Sequence, residues 1–141
     1  GGPYTINKKG CYLANFKPER GDYSADGGLY TVRANAYWPN DYGLYNMSGN
    51  VAEWTSSPYM GATYDLVADI NPQLKYRIKE NDPQWMRRKA VRGGSWRDQA
   101  YFLNVNVRDY EFADTAKAYI GFRTIYEEIA PAMLNQHMGK K

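Results

Sequence analysis

Three polar side chains, Asn46, Asn50 and Glu53, sit in a run that is otherwise mostly aliphatic, aromatic or small: Tyr42 to Trp54 reads YGLYNMSGNVAEW. Leu44, Tyr45, Met47, Val51 and Trp54 are expected to supply buried bulk. Amide and carboxylate groups among such neighbours are costly unless they meet hydrogen-bond partners or a metal ion. Other residues able to do chemistry are few. Cys11 is the only cysteine, so the chain can form neither an internal disulfide nor a cysteine-based zinc site. His137 is the only histidine, near the last residue, and no Ser-His-Asp arrangement can be built around it. Ser95 stands in GGSW rather than in a G-x-S-x-G elbow. The acid pairs Asp109/Glu111 and Asp22/Asp26 have the residue types of glycoside hydrolysis, but spacing along a chain does not set carboxyl separation. Surface acids and turn residues are the favoured reading. Asn46-Met47-Ser48 matches a glycosylation acceptor, yet lies in the most buried-looking stretch and is read as a chance match.

The elements that must position these groups are short. The Tyr42–Trp54 run fits neither the helical nor the strand period and reads as a tight core loop, with Gly43 and Gly49 where side chains would clash. Gly1 to Gly10 reads as loop, Cys11 to Phe16 as a short buried strand, and Lys17 to Gly28 as turns. Leu29 to Ala36 is expected to be an edge strand, followed by a turn at Pro39-Asn40-Asp41. Tyr59 to Arg88 reads as a surface excursion broken by Pro72 and Pro83, with a brief strand at Leu66-Val67-Ala68. Lys89 to Trp96 is expected as a strand ending in a Gly-Gly bend, Ala100 to Asp109 as a strand, Asp109 to Ala118 as a connection, and Tyr119 to Tyr126 as the last strand. Ala130 to His137 suits a short helix opened by Pro131. The lysine-rich end is expected to fray.

The chain has 141 residues, enough for one domain with a real core. With 14 Tyr, 4 Trp, 13 Gly and 7 Pro, loop-rich packing is expected rather than a helical bundle. A net charge of +3, spread over short clusters such as Arg87-Arg88-Lys89, gives no concentrated basic face and argues against nucleic acid as a partner. No signal peptide, lipobox or transmembrane run is visible in the sequence.

Three motifs, GLYNMSGNVAEW, VRGGSW and IGFR, follow one another at Gly43–Trp54, Val91–Trp96 and Ile120–Arg123. In order and rough spacing they resemble the C-terminal half of the sulfatase-modifying-factor domain, the fold of the formylglycine-generating enzyme. The resemblance covers roughly Cys11 to Thr124. It implies an α+β, C-type-lectin-related fold, loop-rich with short twisted strands. Residues 1–126 would be the C-terminal part of such a domain and residues 127–141 a tail. The opening run from Gly1 to Val32, the run WTSSPY at Trp54–Tyr59 and the stretch from Arg92 to Arg123 are similar to the gliding-motility lipoprotein K group (GldK/PorK) of type IX secretion. On these patterns the chain is expected to be a C-terminal fragment, or one piece of a cleaved protein. The domain's N-terminal half and the lipid-anchoring cysteine would lie outside it.

The family resemblance carries chemistry with it. The enzyme's copper centre is held by two cysteines just after the GGS element, and thiolates suit copper(I). Asp98 and Leu103 stand at those two positions, so no copper and no oxidase activity are expected. The family also implies two calcium sites, and calcium takes carboxylate, amide and carbonyl oxygens. Asn15 and Asp26 match the side-chain ligands of the first, with Phe16 and Gly28 giving carbonyls. Asn46 and Glu53 match those of the second, with Gly49 and Val51 giving carbonyls. Gly28 departs from the enzyme, which has an aromatic there, but a carbonyl ligand tolerates the change. The residues themselves also suit turns and hydrogen-bonded loops, and both readings stand. Arg92 and Arg123 are expected to pair with core carboxylates such as Glu53 through the guanidinium fork. Anion binding is the minority alternative.

The function implied is non-enzymatic: a scaffold component of the type IX secretion and gliding-motility machinery. It would lie in the periplasm at the inner face of the outer membrane, self-associating in a ring with a GldN/PorN-type partner and anchored by a lipid outside this chain. Candidate interface residues are Tyr59, Tyr64, Tyr76, Trp85 and Arg87, types favoured at interfaces. A lectin-like ligand-binding module is one alternative. Such relatives usually stop soon after GFR, whereas this chain runs on from Arg123 to Lys141. A diverged metal-dependent enzyme is the other.

Overall fold

The first motif ends on one strand, and the other two begin on the strands either side of it. In the computed structural model, which describes residues 12–18, 24, 27–61 and 77–125, β1 (Ala52–Pro58), β2 (Arg88–Arg92), β3 (Asp109–Phe112) and β4 (Ile120–Gly121) form one sheet of order β3-β2-β1-β4. β1 runs antiparallel to β2, with Glu53 opposite Arg92 and Trp54 opposite Val91, and the register shifts before Pro58 meets Lys89. β2 and β3 are antiparallel from Val91–Asp109 to Arg88–Phe112. β4 lies parallel to β1, pairing Ala52 with Ile120 and Glu53 with Gly121. The sheet therefore brings the end of YGLYNMSGNVAEW together with the starts of VRGGSW and IGFR, although they are far apart in sequence.

Among the described residues the buried core is partly polar. Ala14, Phe16, Ala52, Ala90 and Val91 are buried, and so are Asn15, Asn50 and Ser95. Polar groups survive there because they replace ladder bonds that the irregular backbone does not make. The Gly-Gly bend after β2 occurs as expected. Gly93 and Gly94 adopt left-handed φ of 89° and 67°. A Cβ on Gly94 would lie 3.0 Å from the Phe102 backbone at a left-handed φ, so a side chain there would be strained and crowd Phe102.

Several expected strands are loops. At 29–36 the Val32 N–H donates to Asn50 Oδ1 at 2.9 Å, and the Val32 carbonyl accepts Asn50 Nδ2 at 3.2 Å. One side-chain amide thus acts as a strand neighbour one residue long, and no ladder propagates. At 12–16 only Tyr12 makes an isolated bridge, while the Asn15 carbonyl is given to the Asn50 N–H. The stretch 100–109 splits into a 3-10 helix, Ala100–Leu103, and a turn. Gln99 and Tyr101 carbonyls take the N–H groups of Phe102 and Asn104, and Asn104 Oδ1 takes that of Asn106. Asparagine competing locally for backbone donors is the cause. The strand begins instead at Asp109, where a connection was expected. The last strand pairs only at Ile120 and Gly121.

The turn at Pro39-Asn40-Asp41 holds, and Asn40 Oδ1 accepts the N–H groups of Tyr42 and Leu44. Leu44, Tyr45 and Met47, expected as buried bulk, are 41%, 41% and 44% exposed. The loop turns its backbone, not these side chains, toward the core. A second 3-10 helix, Gln84–Arg87, leads into β2. Among the described residues the helical elements are these two, and no helix is long and apolar enough to cross a membrane. The brief strand expected at 66–68, the helix at 130–137 and interface candidates Tyr64 and Tyr76 lie outside the described residues.

Candidate functional site

Residues 46–51 curl because Asn46, Gly49 and Asn50 all take left-handed φ, of 50°, 83° and 69°. Asparagine and glycine are the residues that tolerate this region. At Gly49 the backbone comes so close that a Cβ would lie 2.4 Å from the Asn15 carbonyl oxygen. The curl is then tied on both sides. Asn50 N–H donates to Asn15 O at 2.8 Å, Gly49 N–H to Gly93 O at 2.8 Å, and Trp96 N–H to Asn50 O at 2.9 Å. Three distant segments share one buried hub.

Asn15 is the least satisfied member of that hub. Its side chain is fully buried. Its Nδ2 donates to the Tyr30 carbonyl at 2.6 Å and lies 3.5 Å from Asn50 Oδ1. Its Oδ1 has no hydrogen-bond partner among the described residues. A buried amide oxygen without a donor is costly, and a hard cation is one group that satisfies it. This is the observation on which calcium can be tested, and Asn15 fits. Phe16 is buried beside it, and Gly28 lies close, since a Cβ there would be 3.5 Å from Asn15 Nδ2. Asp26, the remaining member of the first set, lies outside the described residues.

The second set is arranged differently. Asn46 Nδ2 donates to Ala34 O at 2.9 Å, on the half-turn that precedes the loop. Val51 and Gly49 flank Asn50 in the curl. Glu53, on β1, is held by Arg123: Nε lies 3.1 and 3.0 Å from the two carboxylate oxygens and Nη2 2.6 Å from Oε1. Arg123 Nη2 also donates to Tyr45 O at 2.9 Å, so it clamps the loop to the sheet. The hydrogen bonds and charge of Glu53 raise the Arg123 pKa against desolvation. The expected pairing of Arg123 with Glu53 is what the structure contains. Arg92 Nη2 donates to the Val105 carbonyl. A carboxylate has about four lone-pair sites, so Glu53 keeps acceptor capacity for a cation. Among the described residues no three His, Cys, Asp or Glu side chains gather, so an ion here would rest mainly on amide and carbonyl oxygens.

Asp98 and Leu103, which the sequence resemblance sets at the enzyme's thiol positions, both lie against the Gly-Gly-Ser bend. Asp98 Oδ2 accepts Ser95 N–H at 2.9 Å and Ser95 Oγ–H at 2.6 Å. Asp98 N–H returns to Ser95 O at 2.9 Å, and Asp98 O takes the Lys17 N–H at 2.8 Å. Leu103 Cδ1 packs 3.1 Å from where a Gly94 Cβ would be. A cavity of about 120 Å³ adjoins them, lined in part by Arg97, Asp98, Phe102 and Tyr119. Arg97 stacks 4.2 Å over the Tyr119 ring. The Tyr119 hydroxyl lies 3.3 Å from Glu111 Oε2, and Lys117 Nζ lies 3.6 Å from the same oxygen. Sequence reasoning missed the Ser95–Asp98 bond. The S-x-x-D spacing in GGSWRD was the available signal, because a hydroxyl and a carboxylate three residues apart close a turn.

Residues 3–128 match the model of the sulfatase-modifying factor enzyme 1-like domain. The chain belongs to that family. It is 30% identical over 129 residues to the inactive C-alpha-formylglycine-generating enzyme 2 of Bos taurus, covering 87% of this chain and 35% of that protein. It is 33% identical over 105 residues to the formylglycine-generating enzyme of Thermomonospora curvata, covering 72% of this chain and 33% of that protein. The chain therefore spans about a third of the length of these relatives. PvdO from Pseudomonas aeruginosa shares the fold, with a TM-score of 0.62 at 23% identity over 85% of this chain and 42% of that one. Relatives of both kinds, inactive and active by name, thus surround a chain that carries a single cysteine. A two-thiolate copper centre cannot be assembled from its own residues.

Proposed function

We propose that this chain is part of a non-enzymatic scaffold of the GldK/PorK kind, built on an α+β, C-type-lectin-related version of the family fold. It works in the type IX secretion and gliding-motility machinery. The observation that carries the non-enzymatic reading is the fate of the two thiol positions. Asp98 is spent on closing the Ser95 turn, and Leu103 packs on Gly94. Both are structural contacts where the enzyme needs a soft metal's ligands. The opening run to Val32 and the stretch from Arg92 to Arg123 support the secretion assignment by their similarity to that group. On this reading the chain lies in the periplasm at the inner face of the outer membrane, in a ring with a GldN/PorN-type partner. Calcium, held through Asn15 and its neighbours, serves structure rather than reaction. Of the interface candidates among the described residues, Trp85 is exposed and Tyr59 and Arg87 are half-buried, and these would meet the partner.

The test is a cross-linked pull-down of the full-length protein from native envelopes, read by mass spectrometry. Recovery of the partner N protein with outer-membrane secretion components supports the scaffold. Recovery of the protein alone, or with a bound small molecule, overturns it.

A further inference from the structure

Two buried amides, Asn15 and Asn50, meet in the hub. An amide carries donors at one end and an acceptor at the other, and its neighbours settle which end faces where. For Asn50 the neighbour is one backbone residue. Val32 N–H needs an acceptor and Val32 O a donor, and they take Asn50 Oδ1 at 2.9 Å and Nδ2 at 3.2 Å. Turning that amide over would set NH2 against N–H and oxygen against oxygen. Asn50 Oδ1 is thereby fixed where it lies 3.5 Å from Asn15 Nδ2. The Tyr30 carbonyl, 2.6 Å from the same Nδ2, is likewise only an acceptor. Both neighbours at this end of the Asn15 amide require its NH2. Its Oδ1 is left at the opposite end, with no donor among the described residues. The backbone is held separately. Asn50 N–H donates to Asn15 O at 2.8 Å, a bond that survives any non-proline side chain at position 50.

We propose that Asn50 is the positioning residue of the calcium site at Asn15. The Val32 backbone orients the Asn50 amide, and Asn50 together with the Tyr30 carbonyl orients the Asn15 amide, so that Oδ1 rather than Nδ2 is presented to the cation. Asn50 also steadies Tyr30 itself. Val32, which it holds, is two residues on, and the Tyr30 ring lies edge-on 5.0 Å from Trp96, whose N–H donates to Asn50 O at 2.9 Å. A carboxylate ligand offers oxygen whichever way it turns. An amide turned the wrong way offers the cation two N–H groups instead, so an amide ligand depends on its outer partners more than a carboxylate does. This role rests on calcium being held through Asn15, as in the proposed function. By reciprocity, an ion that gains from the relay also tightens it.

The experiment titrates the full-length protein with calcium by calorimetry, at a temperature where each variant is folded by circular dichroism. The quantity compared is the binding that Asn15→Ala abolishes. Asn50→Gly removes the amide, keeps the backbone bonds and tolerates the left-handed φ of 69°. Val91→Ala, a buried truncation on β2, is the control for lost stability. Asn50→Gly raises the dissociation constant of the Asn15-dependent site about tenfold or more, the usual effect of losing a ligand's outer partner. Val91→Ala leaves it unchanged. In the wild type, calcium slows exchange of the Val32 amide more than that of the Ala52 amide, which is bonded to Tyr119 O at 2.9 Å. That second measurement needs no variant and keeps the test intact should Asn50→Gly not fold. Absence of Asn15-dependent binding in the wild type overturns the calcium reading and the relay together. Binding that Asn50→Gly leaves unchanged, or that Val91→Ala weakens as much, overturns the relay alone. So does a Val32 amide that calcium protects no more than Ala52.

Discussion

Replacing Asn50 by alanine removes the amide that stands in for a strand beside Val32. Two bonds of ordinary length are lost, at 2.9 and 3.2 Å. Each is worth about 1 kcal/mol net. The 3.5 Å approach to Asn15 is too long to add much. Alanine must also hold the left-handed φ of 69° at that position, which costs roughly 1 kcal/mol more. The sum is roughly 3 kcal/mol for Asn50→Ala. Asn50→Gly loses the same bonds without the left-handed penalty, and costs about 2 kcal/mol. Urea unfolding measures both. With a slope of about 2 kcal/mol/M, the alanine midpoint falls by about 1.5 M and the glycine midpoint by about 1 M, the slopes unchanged. The Val32 amide also loses exchange protection in both variants. The reasoning fails if Asn50→Ala costs less than about 1 kcal/mol, or if the Val32 amide stays as protected as in the wild type.

Three further outcomes are expected. Calcium raises the melting temperature and a chelator reverses the rise, by an amount equivalent to about 2.7 kcal/mol at a concentration 100 times the dissociation constant. Asn15→Ala removes the calcium-dependent part, and an identical melt with and without the ion rejects a structural site. Arg123→Met releases Glu53 and the Tyr45 carbonyl and costs about 1–2 kcal/mol in urea unfolding, allowing for side chains 31% and 22% exposed. Arg123→Lys recovers only part, because an ammonium lacks the fork, and a full recovery would contradict that account. The Glu111 carboxyl is held below the usual glutamate range, first by the Phe112 N–H and then by Lys117 and Tyr119, against desolvation. A depressed folded pKa stabilises the fold above the unfolded value and loses that contribution as pH falls through the folded one. The Phe112 amide shift is therefore expected to titrate with Glu111 in the acid range below about pH 4.3. A midpoint at or above the ordinary glutamate value would refute the cap.

Much of the site was legible because its residue types have few other uses. Asn46, Asn50 and Glu53 among aromatics announced a polar skeleton, and all three are bonded. Gly-Gly before Ser95 announced a bend. The carboxylate partner for Arg123 came from the family resemblance, with fork chemistry making it credible. The strand at 29–36 was misread for the same reason that made the hub invisible: a β-type run says that a backbone wants neighbours, not who supplies them. An asparagine side chain eighteen residues from Val32 supplied them. The stretch 100–109 was misread because Asn104 competes for the backbone more strongly than its β-branched neighbours favour extension.

By itself the sequence determined the family and the single cysteine, since these depend on which residues are present. Tertiary structure decided which of the buried oxygens lacks a donor among the described residues, and that Asp98 closes a turn. These depend on distances between segments that no local pattern encodes. Burial is the physical reason: it forces each polar group to find a partner, and only the folded chain shows which groups come within reach.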